Sequence, residues 1–155
     1  MRKTILFLII SVLQTSVIAQ QSEIGTTSIH ESRKNSVYIE FGGVGFMSSL
    51  NYDRIIPIAK QLAIVPRVGI GIFDFVFPVY EINLIAGGPK HFFETGFGQY
   101  LMNLPQPDFM IRAGYRYQGN KGLLLRAAPQ LYNAEVDEGI SELRFWFALS
   151  LGYSF

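Results

Sequence analysis

Nine charged residues recur at alternating positions within the apolar segments of this 155-residue sequence. Pairing between arginine and carboxylate groups is the chemistry that they could perform. A guanidinium can bind a carboxylate through two parallel hydrogen bonds, so four carboxylates and five guanidiniums gathered in one place would form a charge-paired network. We predict such a network, with a structural role, from Glu40, Asp53, Arg67, Glu81, Glu94, Arg112, Arg116, Arg126 and Arg144.

Residues suited to catalysis or metal binding are scarce. The two histidines are His30, in a polar stretch, and His91, at the start of an apolar segment. The sequence contains no cysteine, which excludes disulfides and thiolate ligands. We therefore predict no enzyme, no catalytic residue, no cofactor and no metal site. The net charge of +1 gives no reason to expect a nucleic-acid partner.

The N-terminal residues have the pattern of a secretory signal peptide. Arg2 and Lys3 precede an apolar run from Ile5 to Leu13, and small residues follow up to Ala19. The run is shorter than the roughly 20 residues that a membrane-spanning helix needs. We predict a cleaved signal peptide over residues 1–19, a flexible periplasmic leader over 20–35 and one domain over 36–155.

Eight segments of the domain alternate between apolar and polar residues, as β-strands with two different faces do. The last of them is the most regular, since every second residue from Leu143 to Phe155 is bulky and apolar. Most have the length of about 9 to 11 residues that a tilted membrane strand requires. The predicted strands span residues 36–43, 46–54, 61–73, 77–86, 91–100, 108–118, 122–132 and 143–155.

The connections between these segments differ in length. Residues 57–60, 87–90 and 119–121 form short predicted turns, whereas 101–107 and 133–142 form long predicted loops. With the N-terminus in the periplasm, the short turns all fall on the periplasmic side, as in outer-membrane barrels. Two prolines interrupt this pattern, Pro66 and Pro129, and for Pro66 we expect a β-bulge because proline has no N–H for the strand ladder.

Side-chain volume indicates which face lies inside. The interior of an eight-stranded barrel is just wide enough for side chains or one small ligand. The charged face also carries many small residues, including Gly69, Gly96 and Ser150, whereas the other face carries bulky apolar ones. We therefore predict that the charged residues point into the barrel and the apolar residues point toward lipid. The aromatic residues expected at the periplasmic rim are Tyr52, Phe93, Tyr115, Tyr117, Tyr153 and Phe155.

The C-terminal segment Leu149-Ser150-Leu151-Gly152-Tyr153-Ser154-Phe155 resembles the terminal strand of outer-membrane β-barrel proteins. Segments such as Asn51-Tyr52-Asp53-Arg54 and Gly114-Tyr115-Arg116-Tyr117-Gln118 resemble those of small outer-membrane proteins of the Bacteroidetes type, and the size is similar to barrels of the OmpA and OmpX kind. The resemblance implies an eight-stranded antiparallel up-and-down transmembrane β-barrel in the outer membrane of a Gram-negative cell. Its implied partners are outer-membrane lipids and the barrel-assembly machinery, which would read Leu149, Leu151, Tyr153 and Phe155.

Three functions stay open at this point. The first is a non-enzymatic membrane protein with a plugged, non-conducting lumen and a structural or surface-interaction role, whose external partner the sequence does not specify. The second is an enzyme that modifies outer-membrane lipids, although neither histidine is placed at the outer rim. The third is a soluble secreted barrel, similar to a lipocalin, that binds an apolar ligand and has the two faces exchanged.

Overall fold

The computed structural model describes residues 28, 29, 32–43, 47–100, 108–137 and 140–155, which are almost entirely β-strand. The predicted signal peptide, most of the predicted leader with His30, and the predicted loop at 101–107 lie outside these residues. The strands are β1 (Asn35–Phe41), β2 (Ser48–Arg54), β3 (Ile56–Ala59), β4 (Leu62–Ile72), β5 (Val76–Gly87), β6 (His91–Tyr100), β7 (Asp108–Gln118), β8 (Leu123–Asp137) and β9 (Ile140–Ser154).

The strands form one closed antiparallel barrel. Neighbours in sequence pair with each other from β4 to β9, β9 pairs with β1, β1 with β2, and β2 with β4, which closes the circle. In the described part of the chain, the short strand β3 pairs with β4 and continues the line of β2. We therefore count β2 and β3 as one strand, which gives a barrel of eight strands. The predicted all-β, eight-stranded antiparallel barrel is confirmed. Among the described residues, no helix is long and apolar enough to span a membrane.

The two ends of the barrel differ. One end carries the tight turns at residues 60–61, 88–90 and 119–122, and we call it the turn end. The other end carries the connection at 73–75, and we call it the hairpin end because β8 and β9 extend there to Asp137 and Ile140, beyond the other strands.

The strands are staggered around the barrel. Following register partners from Ser36 leads in turn to Asp53, Arg67, Glu81, Gly98, Met110, Tyr132 and Arg144. The register of β9 with β1 places Ser154 opposite Ser36, and Ser154 lies ten residues beyond Arg144 along β9. A stagger of ten residues around eight strands corresponds to a strand tilt of about 40° from the barrel axis. Residues that are level across one ladder therefore lie at different heights along the barrel axis.

The β8–β9 hairpin is longer than the sequence suggests. Residues 133–142 were expected to form a loop, but β8 continues to Asp137 and β9 begins at Ile140, so this expectation is wrong. The segment lacks apolar alternation because β9 runs beyond Phe41, where β1 ends. Backbone pairing between β8 and β9 continues there as far as Asp137 and Ile140. The turn predicted at 57–60 is also wrong in part, since Ile56–Ala59 is strand β3.

Pro66 is accommodated without the expected bulge. It pairs directly with Ile82 of β5, and the register of β4 and β5 does not shift. On the other side of β4, the pairing with β2 stops after Asp53 and resumes from Ile56 in β3 at the same register. The absent N–H therefore coincides with a gap in one ladder, where no partner strand requires it.

Pro129 follows the same rule at another position in the barrel. It pairs with Phe147 of β9 without a register shift. The ladder with β7 is interrupted between Arg112 and Tyr115 and continues afterwards at the same register. Each proline therefore interrupts the strand pairing on one side of its strand, whereas the pairing on the other side continues without a register shift.

The segment before β1 is tied to the turn end, in contrast to the flexible leader that we expected up to residue 35. Ile29 donates its N–H to the carbonyl of Lys60 at 2.9 Å and is completely buried. The Ser32 hydroxyl donates to the carbonyl of Pro89 at 3.2 Å, and Arg33 donates to the carbonyl of Asn120 at 3.0 Å. The end of the predicted leader therefore closes the barrel mouth.

Candidate functional site

The barrel buries eight charged residues and exposes many of its large apolar ones. Strand side chains alternate between the two sides of a sheet, and burial follows this period of two in β1, β2, β4 and β5. Eight of the nine residues of the predicted network are buried inside the barrel: Glu40, Asp53, Arg67, Glu81, Glu94, Arg112, Arg116 and Arg126.

Glu40 is the centre of this network. Its carboxylate accepts hydrogen bonds from Arg67 at 2.8 Å and from Arg112 at 2.8 Å, and the Ser150 hydroxyl donates to it at 3.0 Å. Arg126 Nη1 lies 3.7 Å from Glu40 Oε2. Strands β1, β4, β7, β8 and β9 therefore meet at one carboxylate.

Glu81 joins two of the same arginines from the opposite side. Arg67 Nη1 donates to Glu81 Oε2 at 2.7 Å. Arg112 Nε lies 2.8 Å from Glu81 Oε1, a close ion pair without hydrogen-bond angles. Arg67 also donates through Nε to Asn51 at 3.1 Å. These contacts hold Arg67 between Glu40, Glu81 and Asn51.

Asp53 and Glu94 form the part of the network nearer the turn end. Arg116 binds both oxygens of Asp53, at 2.7 and 3.0 Å, and donates to the Ser36 hydroxyl at 2.9 Å. Arg126 pairs with Glu94 through Nη2 and donates through Nε at 3.3 Å. Arg116 lies 3.7 Å from Glu94, which links the two pairs.

The buried network contains four carboxylates and four guanidiniums, so its formal charge is zero. Burying ions is costly unless each one has close opposite charges and hydrogen bonds. An equal number of both signs meets this requirement inside the barrel, where a fifth cation would have no counterpart.

Arg144 is not part of the network, in contrast to the prediction. Its side chain is 50% exposed and lies 3.7 Å from Glu142 of the same strand. It has the alternation of an inward residue, but the stagger of the strands places it beyond Phe41, the last residue of β1. Alternation specifies the face of a strand and does not specify the height along the barrel.

Tyr38 is an interior residue that the sequence reasoning missed. Its ring is contacted by two guanidiniums, with Arg126 at 4.8 Å and Arg67 at 5.4 Å from the centroid. Such cation–π contacts are stronger where water is excluded. The signal was present in the sequence, because Tyr38 alternates with Ser36 and Glu40 on the same face of β1.

Apolar clusters lie on both sides of the charged layer, and the sequence analysis did not predict them. The cluster at the turn end contains Ile29, Ile55, Ala63, Val65, Ile85 and Phe92. The cluster toward the hairpin end contains Phe77, Val79 and Met110, with Tyr132 packed against them. The described interior is therefore filled in three layers, with ionic groups between two apolar ones.

Glycines make room for the interior side chains. A Cβ at Gly96 would overlap the amide of Asn83, and a Cβ at Gly69 would overlap that of Asn51. The Gly-x-Gly patterns within strands thus serve packing. At the end of β1, Gly42 and Gly43 have φ angles of 69° and 72°, which favour glycine and end the strand earlier than residue 43.

The outer surface is a continuous apolar belt. The predicted assembly residues Leu149, Leu151, Tyr153 and Phe155 are exposed on it at the C-terminal strand. Further exposed residues of this belt include Val37, Ile39, Phe41, Leu50, Tyr52, Ile64, Val68, Ile70, Ile82, Leu84, Phe93, Phe97, Ile111, Tyr115, Leu123 and Leu125. Exposed apolar areas of this extent mark a surface that contacts lipid or another protein.

His91 lies at the turn end, on the outside of the barrel. Its Nδ1 is 2.5 Å from the Tyr115 hydroxyl, and its ring is 5.2 Å from that of Tyr117. Among the residues that the structure describes, no group of three or more histidine and acidic side chains could hold a metal ion. Comparison with protein-family models, with curated proteins and with solved structures finds no match.

Proposed function

We propose that this chain is an integral outer-membrane β-barrel protein with a plugged lumen, no open pore and a structural or surface-interaction role. The observation that carries the proposal is the reversed polarity of the barrel, with eight ionic side chains inside and large apolar side chains outside. In water this arrangement would expose the apolar belt and bury ions at a cost. In a bilayer the same belt contacts acyl chains, and closure of the barrel satisfies the backbone groups.

The filling of the interior supports the absence of a pore. Arg67, Arg112 and Arg116 are at most 1% exposed, and apolar clusters lie on both sides of them. Eight strands enclose only enough space for side chains or one small ligand, and here side chains fill it. A solute would have to displace the paired charges, so we expect no stable conductance in planar bilayers.

Two other functions fit the described interior and histidine less well. A lipocalin-like carrier needs an apolar cavity, whereas the middle of this barrel is occupied by ion pairs. A lipid-modifying enzyme needs a nucleophile or base beside an activating group. His91, the histidine among the described residues, contacts the tyrosines Tyr115 and Tyr117 at the turn end. The reversed polarity therefore favours a non-enzymatic membrane protein with a plugged lumen.

Membrane fractionation combined with heat-modifiability tests the proposal. The full chain is expressed in a Gram-negative host, and the outer membrane, inner membrane and soluble fractions are separated. We expect the protein in the outer-membrane fraction, with an electrophoretic mobility in SDS that changes after boiling because the closed barrel then unfolds. Recovery of folded protein from the soluble periplasm would contradict the proposal, as would a stable, large conductance.

A further inference from the structure

Most of the basic side chains outside the buried network lie at one end of the barrel. Among the described residues, the turn end carries six basic side chains and no acidic one: Arg33, Lys34, Arg54, Lys60, Lys90 and Lys121. Asp74, Glu142 and Arg144 lie at the hairpin end, where Arg144 is 3.7 Å from Glu142. Within the described part of the chain, none of the six cations forms a salt bridge, so their positive charge is available to an external anion.

Two of these cations line a cleft at the turn end. The cleft has a volume of about 540 Å³ and is lined by Ser32, Arg33, Pro89, Lys90, Gln118, Gly119 and Asn120. Its described lining thus combines two cationic side chains with neutral hydrogen-bonding groups and includes no carboxylate. A site of this composition suits an anion.

The walls of the cleft are held together by hydrogen bonds between three segments. Ser32 donates to the carbonyl of Pro89, and the Gln118 N–H donates to the carbonyl of Lys90 at 2.8 Å. Arg33 donates one N–H to Asn120 and accepts at its carbonyl from the Gln118 amide at 3.4 Å. Gln118 is only 3% exposed. These contacts fix Arg33 and Lys90 beside one opening.

The groups present match a phosphate. A guanidinium has five N–H donors, and an ammonium has three. Arg33 uses one of its donors on the carbonyl of Asn120 within the described residues, which leaves others for phosphate oxygens. Lys90 adds a second positive charge at the same cleft.

The surroundings of the cleft indicate that the phosphate belongs to a lipid. The Arg33 guanidinium lies 5.9 Å from the ring centroid of Tyr153, which is exposed on the outer apolar belt. The Tyr117 hydroxyl is close to Gly119 of the cleft. Tyrosines collect at the depth of the headgroups in a membrane. The cleft therefore lies where acyl chains, on the belt, meet headgroups, at the turn end.

We propose that the cleft between Arg33 and Lys90 binds the phosphodiester group of an anionic phospholipid in the leaflet that the turn end faces. This inference rests on the proposed function, because the leaflet is defined by insertion of the barrel in a membrane. It adds a specific lipid class and a specific site to the general contact between the belt and acyl chains.

Native mass spectrometry of the detergent-solubilised protein tests the proposal. Phosphatidylglycerol is added at a series of concentrations, with phosphatidylcholine as the zwitterionic comparison. We expect a bound phosphatidylglycerol that survives gentle activation and a preference over phosphatidylcholine. The double variant Arg33→Gln/Lys90→Gln should lose this preference by about ten- to thirtyfold, because each cation near a headgroup contributes to binding of anionic lipid.

The matched control is Arg54→Gln/Lys60→Gln, which removes the same charges from the same end outside the cleft. It should change the preference by less than about threefold. An equal loss in both double variants would show diffuse attraction and overturn the cleft. Displacement of the lipid by millimolar inorganic phosphate would show a site for soluble phosphate and overturn the lipid assignment.

The experiment separates this inference from the proposed function. A protein that is heat-modifiable and resides in the outer membrane, but shows no lipid preference, would refute the cleft and leave the membrane assignment standing. A folded soluble protein would refute the membrane assignment and the lipid site together. Circular dichroism and heat-modifiability of each variant show that the barrel is folded before lipid binding is compared.

Discussion

Charged residues occupy two regions of this molecule and follow different rules in each. Inside the barrel, four arginines and four carboxylates are buried within hydrogen-bonding distance or a few ångströms of each other. At the turn end, six cations are described without an acidic side chain among them. The difference follows from solvent, since burial requires neutralisation of each ion whereas exposed like charges are screened. Balance is therefore needed only in the interior.

The largest loss of stability is expected when Arg67, which binds two carboxylates of the buried network, is removed. Arg67→Ala leaves Glu40 and Glu81 with one fewer partner and gives the buried network a charge of −1. We expect a loss of about 3–5 kcal/mol in the free energy of unfolding, which is typical of breaking a buried ion pair. Urea unfolding in lipid vesicles, followed by heat-modifiability, measures it.

The control for Arg67→Ala is Arg54→Ala at the turn end. Arg54 is exposed, and its contact is a 3.5 Å hydrogen bond to Asn35. The free energy of unfolding should change by less than about 0.5 kcal/mol. Equal effects of the two substitutions would mean that the interior ions are no more dependent on partners than those at the rim.

Adding a charge to the outer apolar belt tests whether that surface faces lipid or water. Ile82 is 65% exposed on β5 and has no polar role. In a bilayer, Ile82→Arg should destabilise the barrel by about 2–4 kcal/mol, the cost of an arginine near the middle of the membrane. The same substitution should cost little if the belt faces water. Unfolding midpoints of Ile82→Arg and Ile82→Ala in the same vesicles distinguish the two cases.

Adding a methyl group inside the charged layer should reduce stability by a smaller amount. Gly96→Ala would bring a methyl group against the Asn83 amide and within 3.0 Å of Glu81 Oε1. We expect a loss of about 1–3 kcal/mol, as for overpacking in other interiors. Gly88→Ala is the matched control, because no atom lies within 4 Å of the added Cβ. If Gly96→Ala were as stable as Gly88→Ala, the interior would be looser than the contacts indicate.

The smallest effect is expected for the cation that belongs to neither region. Arg144→Ala removes a half-exposed side chain that lies 3.7 Å from Glu142. Exposed ion pairs contribute about 0–1 kcal/mol, so the unfolding free energy should hardly change. A loss comparable to that of Arg67→Ala would place Arg144 back in the buried network, as the alternation had suggested.

The face of each strand could be predicted from the sequence, but its height could not. Alternation places Glu40, Arg67 and Arg144 on the same face, because side chains of a strand point to opposite sides in turn. The height depends on the stagger, which is a property of all eight pairings together. The structure accordingly buries Glu40 and Arg67 and exposes Arg144.

Two other features were beyond the reach of the pattern for a similar reason. Ile29 lies in a polar stretch without periodicity, and only its contact with the barrel mouth explains its burial. The hairpin beyond Tyr132 has backbone pairing without apolar alternation in its sequence, so the pattern gave no signal for it. The eight strands, in contrast, each had a local pattern. Features that depend on distant segments were the ones that the sequence did not reveal.

The two prolines have a consequence for how the barrel opens. The gap beside Pro66 lies between β2 and β4, and the gap beside Pro129 lies between β7 and β8. These lines divide the wall into two sheets of four strands, β4 to β7 on one side and β8, β9, β1 and β2 on the other. We expect amide hydrogen exchange to be fastest at these two gaps. The barrel would then open into two four-stranded sheets before hydrogen bonds are lost within either sheet.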